Sequence, residues 1–172
     1  MAILQSILLA DIDGMRQAAQ NNPPLARGAR GDAVRALQLA LDALGHSLPR
    51  SVRWSPISAD GIFGAETDAA VRDFQRRNSL VADGIAGTNT VAALDRQLTV
   101  TRRDPLYRAM TDVEQLAYRM GKAVINGQQP SADAQALSHC LADLNGLALG
   151  NPARVLVRVK QMTEGGVLKP RA

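Results

Sequence analysis

DGIFGAETDAAVRDFQ, from Asp60 to Gln75, is answered by DGIAGTNTVAALDRQL, from Asp83 to Leu98. Both copies obey D-G-I-x-G-x-x-T-x-A-A-[V/L], so the likeness is positional and not merely one of composition. Asp-Gly marks a turn, because Gly accepts φ > 0 and Asp bonds its own downstream backbone. A second glycine three residues on (Gly64, Gly87) lets the chain bend again, and the residues after it begin a helix. Thr67 and Thr90 then fall in the first helical turn, where a hydroxyl can satisfy a backbone group that the helix leaves orphaned. Each copy is a turn that launches a helix. Ala70, Val71, Phe74 and Asn78 share a stripe in the first, and Ala93, Leu94 and Leu98 in the second. One copy cannot bury its stripe alone, so the two must pack on each other and on a third element.

That element lies upstream. Val34, Leu37, Leu41 and Leu44 recur at helical spacing between Asp32 and Leu44, and Gly45 follows as a stop. The Arg30-Gly31-Asp32 tripeptide is read as the entry to this helix and not as an adhesion motif. A three-helix bundle is expected. Gln38 and Gln75, each next to an apolar core residue, are expected as buried hydrogen-bonding links.

Taken together, Gly28 to Gly45 (GARGDAVRALQLALDALG), DGIFGAETDAAVRDFQ and DGIAGTNT resemble the peptidoglycan-binding domain often attached to bacterial cell-wall hydrolases. The resemblance covers about residues 25–98; the Leu37-Gln38 and Phe74-Gln75 pairs, both Asp-Gly turns and both threonines fall in the family's order. It implies an all-α module that binds cell wall without doing chemistry. Two departures stand out: a longer segment between Gly45 and Asp60, which would reshape or cover the binding surface, and Asn78-Ser79 where an Asn-Gly turn is common. On this reading the chain divides into an N-terminal helical segment and linker (1–24), the peptidoglycan-binding-like bundle (25–98) and a second small helical domain (99–172).

The longer segment, HSLPRSVRWSPISA, has two prolines and no helical period and reads as a loop. It carries the one tryptophan, Trp54, beside Arg50 and Arg53, and runs directly into the first Asp-Gly turn. An indole offers a flat apolar face to a sugar ring or peptide, and guanidinium groups offer forked donors to carboxylates. Trp54 is expected either as one wall of the binding surface or as a plug in the small core of a chain with only 3% aromatic residues. The candidate ligand-binding residues are Arg50, Arg53, Trp54, Asp60, Thr67, Asp83 and Thr90. The Asp, Gly and Thr of each copy are expected first of all to fix the turns.

The net charge is +4, with ten basic residues against six acids after residue 98 and near balance before it. A nucleic-acid binder concentrates its basic residues in a stripe with interleaved aromatics, and no such stripe is present. A weakly basic surface suits the carboxylates of peptidoglycan stem peptides and is equally ordinary solvated charge. No apolar run approaches the roughly 18 residues of a membrane span. MAILQSILLADIDG has no basic start and meets Asp11 and Asp13 at once, so no signal peptide is read. The expectation is cytoplasmic synthesis, with delivery to the wall by a non-classical, phage or injection route. Ile3, Ile7, Leu8, Ile12, Met15 and Ala19 have helical spacing with Gly14 as a weak point, so this segment is expected to dock on the rest, Asn21 to Ala26 being the linker.

Beyond Leu98, Asp104-Pro105 opens a helix with the stripe Leu106, Met110, Val113, Ala117, Met120 and Val124, ending near Gly127. Ser131 caps the next, with Ala134, Leu137, Leu141 and Leu144 on its face. A third helical segment is read after Asn151-Pro152, and a protein partner for residues 99–172 is a further expectation.

No catalytic site, metal or cofactor is expected. His46 and His139 are the only histidines, with no HExxH or HxxxD grouping, and a zinc site needs at least three ligands. Cys140 sits in an apolar helical pattern and reads as a buried thiol. Of three glutamates, Glu66 is in the repeat, Glu114 on an exposed helix position, and Glu164 in an E-G-G-V that resembles the catalytic Glu-Gly-Gly of a group of phage muramidases, there near the start of a catalytic domain. Here few residues follow it, and Gly165-Gly166 reads as a helix end. The function expected is non-catalytic peptidoglycan binding; the alternative is an adaptor in a phage tail, lysis or injection apparatus.

Overall fold

The computed structural model describes residues 4–10, 12–54, 57–100, 105–127 and 131–147. The elements run α1 (Ile7–Ala10), α2 (Asp13–Ala18), α3 (Asp32–Ala43), β1 (Val52–Trp54), β2 (Ile57–Ala59), α4 (Ala65–Arg77), α5 (Thr88–Val100), α6 (Pro105–Ile125) and α7 (Ser131–Leu147). The fold is helical, with one small antiparallel hairpin.

The three-helix unit forms where the periodicity places it. α3 starts after Gly31, and Val34, Leu37 and Leu41 are fully buried against α4 and α5. Val71 and Phe74 from α4 and Leu94 and Leu98 from α5 complete that centre at 0% exposure. At ~1.5–3 kcal/mol for each large apolar side chain taken out of water, these residues carry most of the drive to associate. Asn78, placed on the stripe from the sequence, is half-buried: its amide donates to the Phe74 carbonyl at 2.8 Å and its carbonyl accepts from Gln97.

The N-terminal segment docks on this unit, with a break at Ile12, which precedes α2, and not at Gly14. Leu8, Leu9 and Met15 are fully buried. Asp95 on α5 reaches across to accept the N–H groups of Gln5 at 2.9 Å and Ser6 at 2.7 Å, the orphan donors ahead of α1. The following linker is pinned too, because Leu25 and Ala86 exchange both backbone hydrogen bonds, at 3.1 and 2.8 Å.

The segment expected as a loop contains the hairpin. Val52 pairs with Ala59, Arg53 with Ser58 and Trp54 with Ile57. Each strand has three residues, too short for an alternating pattern to declare itself. α7 lies against β2 as well as along α6, so one buried apolar cluster runs from Leu8 through α3 to Leu144 and Leu147.

In α6 and α7 the inward faces are rotated from those expected. Leu116 is buried where Ala117, exposed, stood in the stripe. On α7 Leu144 and Leu147 are buried, but Leu141 is 48% exposed and Ala134 also faces out. Arg119 on α6 and Asp133 on α7 form an ion pair at 3.2 Å. The side chains of Leu106, Met110, Glu114 and Val124, and everything in the segment from Asn151 through Glu164 and Gly166, lie outside the described residues.

Candidate functional site

Two identical clasps organise the repeat. The Gln38 amide donates to the Asp60 carboxylate at 2.7 Å, the Thr67 hydroxyl at 3.0 Å and the Ile62 carbonyl at 3.1 Å, and its oxygen accepts the Gly61 N–H at 3.0 Å. The Gln75 amide donates to Asp83 at 2.8 Å, Thr90 at 3.0 Å and the Ile85 carbonyl at 3.0 Å, and accepts the Gly84 N–H at 2.9 Å. Each Asp also accepts the N–H two residues on, at 2.8 Å in both copies, as an Asx turn requires. The glutamine of one helix thus holds the turn that leads into the next. On the repeat pattern Leu98, fully buried, has in α5 the place that Gln75 has in α4.

The two turn glycines have left-handed backbones, φ 72° at Gly61 and 73° at Gly84. An arginine lies over each: a Cβ on Gly61 would come within 2.8 Å of the Arg35 side chain, and one on Gly84 within 2.8 Å of Arg72 and closer still to Asp68. Arg72 pairs with Asp68 at 3.0 Å and donates to the Ala82 carbonyl at 2.7 Å, which fixes the short connector before the second turn. Donation by the Ile85 N–H holds the Asp83 carboxyl below the usual carboxylate range, with the Gln75 amide and Arg72 adding to it.

A cleft of about 620 Å³ opens beside this second turn. The connector contributes Leu80, Val81, Asp83 and Ile85, the start of α5 contributes Gly87 to Thr90, and the N-terminal linker contributes Asn21 and Pro24. Val81 is 80% exposed and Ile85 39%, a pair of apolar side chains that the core does not claim. Asn21 is held in place by accepting the Thr88 N–H at 2.8 Å, and Gly87 has no side chain to displace it.

The residues singled out from the sequence fall in different places. Asp83 and Thr90 line the cleft, while Arg50, Arg53, Asp60 and Thr67 do not. Thr67 and Thr90 are 0% and 4% exposed, with their hydroxyls taken up by the clasps and by the carbonyls of Ile62 and Ile85. Arg50 and Arg53 are exposed at the hairpin, beside the first repeat. The Trp54 side chain lies outside the described residues. Asn21, Pro24, Val81, Ile85 and Asn89 escaped the sequence reading; the visible signal was Val81, an apolar residue in a connector too short to bury it.

His46 is spent on structure. Its Nδ1–H donates to Asp73 at 2.8 Å, and its ring meets Phe74 edge-on at 5.5 Å. That hydrogen bond, reinforced by Arg77, holds the Asp73 carboxyl below its usual range. His139 is exposed on α7, and burial, with Asp112 and Asp143 nearby, pushes the half-buried Cys140 thiol up, away from the reactive thiolate. Among the described residues no three of His, Cys, Asp and Glu gather as metal ligands, and no helix is long and apolar enough to cross a membrane.

Residues 30–94, which hold both clasps and most of the cleft, match the family described as "Putative peptidoglycan binding domain". An uncharacterized protein in the bpoA1 3' region of Kitasatospora aureofaciens is 40% identical over 77 residues, 45% of this chain and 59% of that one. The N-acetylmuramoyl-L-alanine amidase CwlL of Bacillus licheniformis is 41% identical over 70 residues, 41% of this chain and 18% of the amidase. The chain therefore spans only part of the curated relatives it matches. No solved structure gives a significant match.

Proposed function

We propose that this chain binds peptidoglycan at the cleft beside the second Asp-Gly turn, and that it holds the wall without cutting it. The observation that carries the reading is the position of the cleft. It is built on the repeat of a segment that matches a peptidoglycan-binding family, and there Val81 and Ile85 stand exposed next to the polar groups of Asp83 and Asn89. A shallow site combining apolar surface with a few fixed polar groups is what a ligand of sugars and short peptides needs. The similarity to the amidase covers 18% of that enzyme, which leaves most of its length without a counterpart in the alignment.

Sedimentation with purified sacculi tests the binding. The protein is expected in the pellet at physiological salt; recovery in the supernatant at every wall concentration overturns the proposal. Turbidity of the same suspension tests the second half. It is expected to stay constant, and clearing that Glu164→Gln abolishes would establish a muramidase instead.

A further inference from the structure

The connections into the two Asp-Gly turns differ in length, and that decides what lies over each helix start. Gln38 and Asp60 are 22 residues apart, Gln75 and Asp83 only 8. In the first repeat the surplus chain folds back over the start of α4. Glu66 accepts the N–H of Ser51 at 2.8 Å and that of Arg50 at 3.2 Å, and the Asp60 N–H donates to the Ser51 carbonyl at 2.9 Å. Leu48 and Ser51 are 1% and 6% exposed, so this backbone turn is sealed in place.

On the repeat pattern Asn89 stands in the second copy where Glu66 stands in the first. Asn89 is exposed and lines the open cleft, together with Asp83, Ile85, Gly87 and Thr88. The chain's own backbone thus covers this position in the first repeat, whereas in the second the cleft lies open beside Asn89, with Asn21, bonded to the Thr88 N–H, and Pro24 along it. An Asn side chain can accept an amide N–H as Glu66 does and can also donate to a carbonyl, which a carboxylate cannot. Among the described residues, those lining the cleft include no aromatic ring to stack on a sugar and no cation.

We infer that the cleft takes peptide backbone, laid over the start of α5 and hydrogen-bonded by Asn89 as residues 48–51 are laid over the start of α4 and bonded by Glu66. The inference rests on the wall-binding reading and narrows it: the part of peptidoglycan recognised is the stem peptide, with Val81 and Ile85 against its short alkyl side chains, and not the glycan.

The test titrates the full chain separately with sugar-free stem peptides and with stem-free glycan strands, alongside the sacculus assay. Stem peptide is expected to bind and glycan strands are not. Asn89→Ala, at an exposed position, is expected to weaken peptide binding about tenfold through the loss of one or two hydrogen bonds. If sacculi pellet while glycan strands bind and stem peptides do not, the inference is overturned and the wall-binding reading stands. If neither sacculi nor either fragment binds, both fall. Unchanged peptide affinity in Asn89→Ala also overturns the inference. Should that variant misfold, Val81→Asp at the 80%-exposed lip asks the same question, with weakened peptide binding expected and unchanged affinity overturning it.

Discussion

The Gln75 amide and the Thr90 hydroxyl meet at 3.0 Å inside the protein, across the turn that separates α4 from α5. Both are almost wholly buried, so neither can turn to water if the other is removed. Gln75→Leu is expected to destabilise by roughly 2–4 kcal/mol, because the Gly84 N–H and the Thr90 hydroxyl lose a partner in the interior. A double-mutant cycle with Thr90→Val should show coupling on the order of 1 kcal/mol. Denaturant midpoints that simply add would mean that the two side chains act independently.

Gly61 and Gly84 are expected to resist substitution, and Gly64 to permit it. Alanine at either turn position meets an unfavourable φ and the arginine above it, so a loss of about 1 kcal/mol or more is expected at each. Gly64 precedes α4 with an ordinary backbone, no side-chain cap and open space around it. Gly64→Ser should be neutral or stabilising by a few tenths of a kcal/mol, since Ser caps better than Gly. Thermal melts of the three variants check the contrast, and equal losses at all three would contradict it.

The acid limb of stability has identifiable contributors. Asp73 and Asp83 both have folded-state carboxyls held below their usual range, the first by His46 and the second by the Ile85 N–H. A lowered folded pKa contributes stability in full above the unfolded value of about 4 and loses it as pH falls through the lower folded value. Asp73→Asn should therefore fall short of the parent protein by a gap that is widest above that range and closes as the pH drops below it. Urea midpoints of parent and variant at neutral pH and near pH 3 measure the gap; one that widens in acid would reverse the sign.

Asp95 is expected to govern the N-terminal segment more than the bundle. Asp95→Ala leaves the N–H groups of Gln5 and Ser6 without their acceptor, a loss of about 0.5–2 kcal/mol on the scale of a helix cap. Amide exchange in α1 and α2 should accelerate while α3 and α4 keep their protection. Uniform acceleration would show that the segment and the bundle open as one unit.

The bundle was legible because its information is local and repeated. Val34, Leu37 and Leu41 declare α3 by spacing, and the two Asp-Gly copies announce each other, so even the burial of Gln38 and Gln75 could be anticipated. The hairpin was not legible, since three-residue strands carry no period and owe their place to distant packing against α3 and α7. On α7 the stripe Ala134, Leu137, Leu141 and Leu144 is as good a helical face as one that keeps Leu144 and takes Leu147 in place of Leu141; packing against α6 and β2 chose between them. The cleft was legible only in part. Asp83 belongs to the motif, but Asn21 and Pro24 come from the far end of the chain, and the cavity exists because one connector is short where the other is long.

A glutamine that grips the turn ahead of it gives the repeat a direction, from α3 to α4 to α5. Leu98 removes the grip at the point where a third turn would have to be held. The module therefore carries its own terminator: with leucine in the amide's place, α5 has nothing to offer a further Asp-Gly entry, and the side chain that stands there is committed to the apolar interior. The chain beyond it is released from the format, and α6 and α7 follow the looser grammar of amphipathic helices, in which a face can rotate by a residue without any backbone hydrogen bond being lost.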